Sequence, residues 1–219
     1  MSLKLYAHPF SSYCQKVLIA LYENDTPFEF RMLAPGDAHA GAEHEALWPL
    51  KRMPVLVDGD TTVVESSIII EHLGLHHPGS VSLIPADARG ALSVRMMDRF
   101  FDNYVSTPMQ KIVGDSLRAA EDRDRHGVAE ARRTLETAYR WLDGALKGRE
   151  WAAGGGFSLA DCSAAPALFY ADWAHPIADA LARARDYRRR LLARPSFARA
   201  VDEARPFRPH FPLGAPDRD

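Results

Sequence analysis

The residues best suited to chemistry crowd into one short stretch, Tyr6-Ala7-His8-Pro9-Phe10-Ser11-Ser12-Tyr13-Cys14-Gln15-Lys16-Val17. Leu3 and Leu5 alternate with Lys4 ahead of it, as in a strand. Behind it Cys14, Val17, Leu18 and Leu21 recur at helical spacing, and Gln15, Lys16 and Glu23 fall on the other side. Pro9 stops the strand, and Ser11 and Ser12 occupy the N-cap region of the helix. A hydroxyl is thereby held at a positive helix end, where unpaired N–H groups and the dipole favour an anion.

Such a site suits a thiolate. Lowering a free thiol's pKa of ~8.5 by ~2 units takes ~2.7 kcal/mol of preference for the charged form. One hydrogen bond to a charged group contributes ~1.5–3 kcal/mol, and a helix end adds ~0.3–1 kcal/mol. One serine and one helix terminus are about enough to ionise a bound thiol near neutral pH. The plainer alternative is that both serines only cap the helix. Cys14 lies on the apolar stripe and reads as a packed small hydrophobe, with a redox role as its rival.

The chain has 219 residues, room for one large domain or two small ones. Hydrophobic residues make up 47% and charged residues 26%, as in ordinary globular proteins. A net charge of −2 leaves no electrostatic footprint for nucleic acid or an anionic membrane. No apolar run approaches the ~18 residues of a membrane span, and the N-terminus lacks a signal-peptide core. Two cysteines, Cys14 and Cys162, fit a reducing, cytoplasmic setting without a disulfide framework. His39, Glu43, His44 and Glu45 match no metal motif, and no metal is expected.

The elements that position the Ser11 stretch follow from the pattern. Phe28-Glu29-Phe30-Arg31-Met32 alternates as a second strand. Residues 34–47 read as a loop or short helix. Val55-Leu56-Val57 and Thr62-Val63-Val64 flank the hairpin turn Asp58-Gly59-Asp60, and Glu65-Ser66-Ser67 opens a helix over 68–77. Residues 75–87, rich in proline, glycine and serine, read as a linker. Beyond it the texture is all helical. Leu92, Met96, Phe100 and Tyr104 form one stripe, beside Met97 and Phe101, on a helix that Pro108 ends or kinks. Residues 128–146 give a long amphipathic helix, and Ser158-Leu159-Ala160-Asp161 is a capping box opening an apolar, central helix. A helix from Pro176 towards Leu192 carries interleaved arginines and aspartates and reads as a solvated face. Pro195 starts a last helix. The tail, residues 206–219, has too many prolines for an α-helix.

A β-α-β-α-β-β-α half with a serine after its first strand and Met53-Pro54 before its third resembles the thioredoxin fold, in which that proline is cis. With the helical second half, the whole chain resembles a cytosolic glutathione transferase. Four features carry the resemblance: the Ser11 loop, Leu50-Lys51-Arg52-Met53-Pro54-Val55-Leu56, Val64-Glu65-Ser66-Ser67, and Phe157-Ser158-Leu159-Ala160-Asp161. Ser11-Ser12 shares its place with the serine pair of the zeta class, which isomerises maleylacetoacetate, although the fuller Ser-Ser-Cys-Ser is absent. Ser11-Ser12-Tyr13-Cys14 is also similar to a glutaredoxin motif that has lost its first cysteine.

The resemblance implies two units, a thioredoxin-like glutathione-binding domain over 1–80 and an all-helical domain over 87–205. It implies a cytoplasmic homodimer that uses glutathione as co-substrate in detoxification. Ser11 would donate to the glutathione sulfur, which attacks a soft, small-molecule electrophile. Met53, presented by Pro54, would pair by backbone with the cysteinyl unit. Glu65 and Ser66 would hold the γ-glutamyl end, and Lys51 the glycyl carboxylate. Phe10, Met97, Phe100 and Tyr104 are candidates for the electrophile side, and Phe207 and Phe211 of the tail for folding over it. Rival activities are a glutathione-dependent isomerase, a thiol–disulfide oxidoreductase through Cys14, and a non-enzymatic binding protein.

Overall fold

Period-two alternation in Leu3-Lys4-Leu5 and Phe28-Glu29-Phe30 builds two parallel strands. In the computed structural model, which describes residues 3–219, β1 (Leu3–Ala7) pairs with β2 (Phe28–Met32), Leu5 opposite Phe30. A parallel pair needs a crossover, and α1 (Ser12–Glu23) supplies it. β3 (Val55–Asp58) runs antiparallel to β1 and turns through Gly59, at φ 59°, into β4 (Thr61–Val64). Glycine occupies that left-handed conformation without a Cβ clash. The sheet order is β2-β1-β3-β4. Residues 34–47 resolve into a loop and α2 (Ala38–Leu47), capped by Asp37, which accepts from the Ala40 N–H at 3.0 Å. α3 (Ser66–His76) closes this half.

The second half comprises α4 (Ala88–Phe100), a π-helical turn (Phe101–Ser106), α5 (Thr107–Ser116), α6 (Arg125–Ala145), α7 (Leu159–Ala174), α8 (Ala182–Leu192) and α9 (Pro195–Ala204). α7 is buried from Leu159 to Trp173 and packs on α1, α4, α5 and α8. Its N-terminus carries the expected capping box. The Ser158 N–H donates to Asp161 Oδ2 at 2.9 Å, and the Ser158 hydroxyl donates to the same oxygen at 3.0 Å. Asp161 also accepts from the Ala152 N–H (3.0 Å) and the Tyr187 hydroxyl (2.5 Å). Burial nevertheless holds its carboxyl above the usual range. One side chain thus ties the helix start to the preceding loop and to α8.

The structure refines four sequence expectations. Gln15 and Lys16, which fall off the apolar stripe, are nevertheless both fully buried, because α1 is packed between α3, α7 and α9. Of the stripe Leu92, Met96, Phe100 and Tyr104, only Phe100 is buried and the other three are exposed, whereas the buried face carries Ala91, Val94, Met97, Phe101 and Val105. The regular α-helix is interrupted ahead of Pro108, as expected, by the π turn, and Pro108 lies in the first turn of α5, where its missing N–H costs no intrahelical bond. α8 begins at Ala182 rather than Pro176, since Asp172 Oδ1 captures the Ile177 N–H at 2.8 Å and holds that segment as a loop.

The arginine-rich helix is only partly solvated: Arg188 is nearly buried and lies 3.3 Å from Asp172. The tail forms a 3-10 turn (Arg205–His210) and is tied back by Arg205–Asp219 (2.6 Å) and Arg218–Asp172 (2.5 Å). A 3-10 repeat tolerates Pro206 and Pro209, spaced three apart, where an α-helix would not.

Replacing Asp161 with alanine removes a cap of ~0.5–2 kcal/mol and orphans two buried donors at ~1–3 kcal/mol each. Urea unfolding of Asp161→Ala should therefore show a loss of at least ~2.5 kcal/mol; an unmoved midpoint would refute the role given to this carboxylate.

Candidate active site

The loop between β1 and α1 is fixed by its own short-range bonds. His8 Nδ1 accepts the Phe10 N–H at 3.1 Å, and the His8 carbonyl accepts the Ser11 N–H at 3.0 Å. The first bond requires Nδ1 to be deprotonated. Burial, followed by the neighbouring charge of His210, lowers the His8 pKa in the same direction. Ser11 is the N-cap of α1, its Oγ accepting from the Cys14 N–H at 3.4 Å. The hydroxyl spends a lone pair on the cap and keeps its proton for a further acceptor. Cys14 is wholly buried, and burial pushes its thiol up to about 11, the reverse of a redox thiolate.

Ser11 stands at the boundary of two recesses. One, of about 490 Å³, is polar and brings Ser11 together with Tyr13, Met53, Glu65, Ser66 and Asn103. The Met53-Pro54 peptide is cis. Glu65 is the N-cap of α3 at φ 69° and makes no side-chain bond to the helix. The first N–H groups of α3 are therefore left without a side-chain cap, with Ser66 buried beside them. A non-glycine residue in the left-handed region costs ~1–3 kcal/mol and concentrates at ligand clamps. Burial and then the Asp102 charge push the Tyr13 phenol up to about 12, so it stays a donor.

The other recess, of about 500 Å³, is more apolar and is walled by His8, Phe10, Leu33 and Pro35. The tail backs this wall. Phe207 meets the His8 ring at 4.6 Å, and Phe211, itself buried, meets Phe10 at 6.5 Å and Trp173 at 5.3 Å.

Beneath the polar recess lies a buried ionic network. Lys16, 1% exposed, places Nζ 2.5 Å from Asp98 Oδ1, 3.0 Å from Asp102 Oδ2 and 2.9 Å from Ser67 Oγ. Arg99 bridges the same two carboxylates from the recess side. Burial opposes ionisation of Asp98, but Lys16 and Arg99 overcome it and hold its carboxyl below the usual range.

Ser11, Lys51, Met53, Pro54, Glu65 and Ser66 are thus brought around one recess. Lys51 is exposed and pairs with Glu45 at 2.9 Å, a surface contact worth at most ~1 kcal/mol and readily exchanged. Of the apolar candidates, Phe10 lies beside Ser11. The other three are corrected. Met97 is buried in the core, while Phe100 and Tyr104 face a neighbouring groove between α4 and α6 that meets the polar recess at Arg99 and Asn103, and there the Phe100 ring lies 4.5 Å from that of Trp141. The helical face turned to Ser11 is the polar one, Arg99, Asp102 and Asn103, joined by Gln110. Sequence reading also passed over Arg52, which lines the recess two residues before the cis-proline. Its signal was available, a second cation in the stretch leading to Pro54.

A mixed four-stranded sheet with a cis-proline, a serine-capped first helix and an acidic-serine pair opening the third defines a thioredoxin-type domain, here joined to a helical bundle. Residues 5–80 match the family described as glutathione S-transferase, N-terminal domain, and residues 125–190 the glutathione S-transferase, C-terminal domain. A Methylobacterium radiotolerans glutathione S-transferase, solved in complex with glutathione sulfonate, is 31% identical over 92% of this chain and 95% of its own, with a TM-score of 0.78. Glutathione S-transferase 3 of Zea mays is 29% identical over 91% of this chain and 93% of that protein. The match to a glutathione S-transferase of Silene vulgaris, 36% identical, spans only 36% of that protein. The chain belongs to the glutathione S-transferase family, a family of enzymes. No helix among the described residues is long and apolar enough to cross a membrane.

Breaking a buried ion pair by removing one partner costs ~3–5 kcal/mol, and Lys16→Met should lose about that much stability near neutral pH by urea unfolding. The pH dependence has a definite sign. Asp98 has a depressed folded pKa in the wild type, so its contribution is present above the unfolded value of ~3.9 and lost as pH falls. In Lys16→Met the unpaired carboxylate can be relieved by protonation, so the gap between the two proteins should narrow on acidification. A gap independent of pH would contradict this assignment.

Proposed function

We propose that the protein activates glutathione by a hydrogen bond from the Ser11 hydroxyl to the bound sulfur, which stabilises the thiolate and delivers it to a soft electrophile. The observation that carries this is the state of Ser11: it accepts from the Cys14 N–H while retaining its own proton at the edge of both recesses. The polar recess supplies what a γ-glutamyl peptide needs. Glu65 meets the ammonium, Ser66 and the N-terminus of α3 meet the adjacent carboxylate, and the Met53 backbone before the cis-proline pairs with the cysteinyl amide as an added strand would. Lys51 and Arg52, both at the rim of the recess, are the cations proposed to meet the glycyl carboxylate. The apolar wall at Phe10 receives the electrophile. The thiol proton leaves to solvent, the sulfur attacks, and the electrophile's leaving group departs with its electron pair. The burial and raised pKa of Cys14 favour this reading over disulfide exchange.

We further infer a homodimer formed through the groove between α4 and α6. Met96 (49% exposed), Tyr104 (55%) and Trp141 (46%) line that groove, and Leu92 (69%) is exposed one helical turn before Met96. Several large apolar side chains gathered there are the signature of an interaction surface, and the family usually dimerises.

Ser11→Ala should bind glutathione but lose the thiolate absorbance near neutral pH, and conjugation should fall by about 10- to 100-fold, the worth of one hydrogen bond to a charged group. An unchanged rate would remove Ser11 from the mechanism. For the dimer, Trp141→Glu should sediment as a monomer where the wild type sediments as a dimer; a wild type that is monomeric at high concentration would end that inference.

A further inference from the structure

We propose that Asp58, His72 and His77 form a binding site for a divalent transition-metal ion of the zinc class, at the end of α3 remote from Ser66. Asp58 is the last residue of β3, His72 lies near the end of α3, and His77 is the C-cap of that helix. The two imidazoles converge on a single atom. Nε2 of His72 lies 2.9 Å, and Nε2 of His77 2.6 Å, from Oδ2 of Asp58. The three donor atoms all lie within 4.8 Å of one another. Tetrahedral zinc with bonds of ~2.0–2.2 Å sets its ligands about 3.3 Å apart, so a small outward movement of the two rings opens the position an ion would take.

The donor chemistry is right. Two imidazole nitrogens and one carboxylate oxygen are a ligand set zinc accepts, with the fourth position left to water. The ring of His76 packs on that of His72 at a centroid distance of 4.4 Å and restrains it, as outer-shell contacts do at metal sites. All three ligands are only partly buried, with side-chain exposures of 14% for His72, 22% for Asp58 and 30% for His77, so an ion can reach them. Soft ligands do not compete, since Cys14 and Cys162 are both fully buried. Other histidine–carboxylate pairs, His39–Glu43, His126–Glu130 and His175–Glu136, offer two donors each. Among the described residues, Asp58, His72 and His77 are the group in which three converge.

The site's place in the fold gives it a consequence. It joins the end of α3 to the β3–β4 hairpin, and the other end of α3 presents Glu65 and Ser66 to the polar recess. A bound ion would staple that helix to the sheet. None of the ligands lines either recess at Ser11, so this inference stands apart from the glutathione reading.

The test uses the full-length protein freed of metal with a chelator. Titration with Co²⁺ should give the visible absorption of a tetrahedral site saturating at one equivalent. Zn²⁺ should displace it and raise Tm by a few degrees. His72→Ala and His77→Ala should each weaken binding by at least ~10-fold, the smaller of the losses seen when an outer-shell partner is removed. His126→Ala should bind like the wild type. Asp58→Asn preserves the shape of the junction and should also lose affinity if a histidine variant fails to fold. Absence of saturable binding at one equivalent, or equal binding by the wild type and the ligand variants, would overturn the proposal.

Discussion

A lysine ammonium that is almost entirely out of water must have its counter-charges built around it, and that demand on Lys16 organises this molecule. Its partners come from separate elements: Ser67 from α3, Asp98 from α4 and Asp102 from the π turn. Ser67 in turn donates to Asp98 at 2.8 Å, and Ser163 of α7 donates to Asp102 Oδ1 at 3.1 Å. The elements locked by this network are the ones that carry the site. α1 is capped by Ser11, α3 begins at Ser66, and α4 with its π turn presents Arg99 and Asn103. Apolar packing tolerates small slippage of one element past another; a buried charge with few partners does not.

The π turn is part of the same solution. Asp98 and Asp102 lie one helical turn apart and both reach the ammonium. The wider winding over Phe101–Ser106 then carries Asn103 into the polar recess while Val105 stays in the core. π turns are rare and gather at functional sites. Here the physical reason is visible: one short segment must serve a buried cation on one side and an open recess on another.

This explains which parts could be read from the chain. Ser11 after β1, Met53-Pro54 before β3, Glu65-Ser66 before α3 and the Ser158–Asp161 box are local motifs, each a few residues long, and local geometry follows from local sequence. Lys16 is different. It lies off the apolar stripe of α1, and nothing in an amphipathic pattern reveals that a second domain will cover the polar face. The apolar stripe through Met96, Phe100 and Tyr104 misled for the converse reason. Its spacing announces a buried face without naming the neighbour, and the neighbour is α6 and a groove rather than the cleft at Ser11. The residues that do face the cleft are polar, and hydrophobic periodicity cannot select them. The Asp58–His72–His77 cluster was invisible too, because its ligands meet only when the hairpin packs on α3.

The two recesses also constrain where the reacting atom sits. The polar one offers charges and helix-terminal amides suited to a peptide; the apolar one offers His8, Phe10, Leu33 and Pro35, suited to an uncharged organic partner. Three residues line both: Ser11, Lys51 and Met53. In the proposed reaction, sulfur is the one atom that must touch both the peptide and the electrophile, so it belongs at that shared boundary. Of the three, Ser11 alone offers a short side-chain donor, and its lone pair is already committed to the Cys14 N–H. The cap thus leaves the hydroxyl proton as the group free to face the sulfur. A residue that reads as an ordinary helix cap is fitted by that role to stabilise an anion.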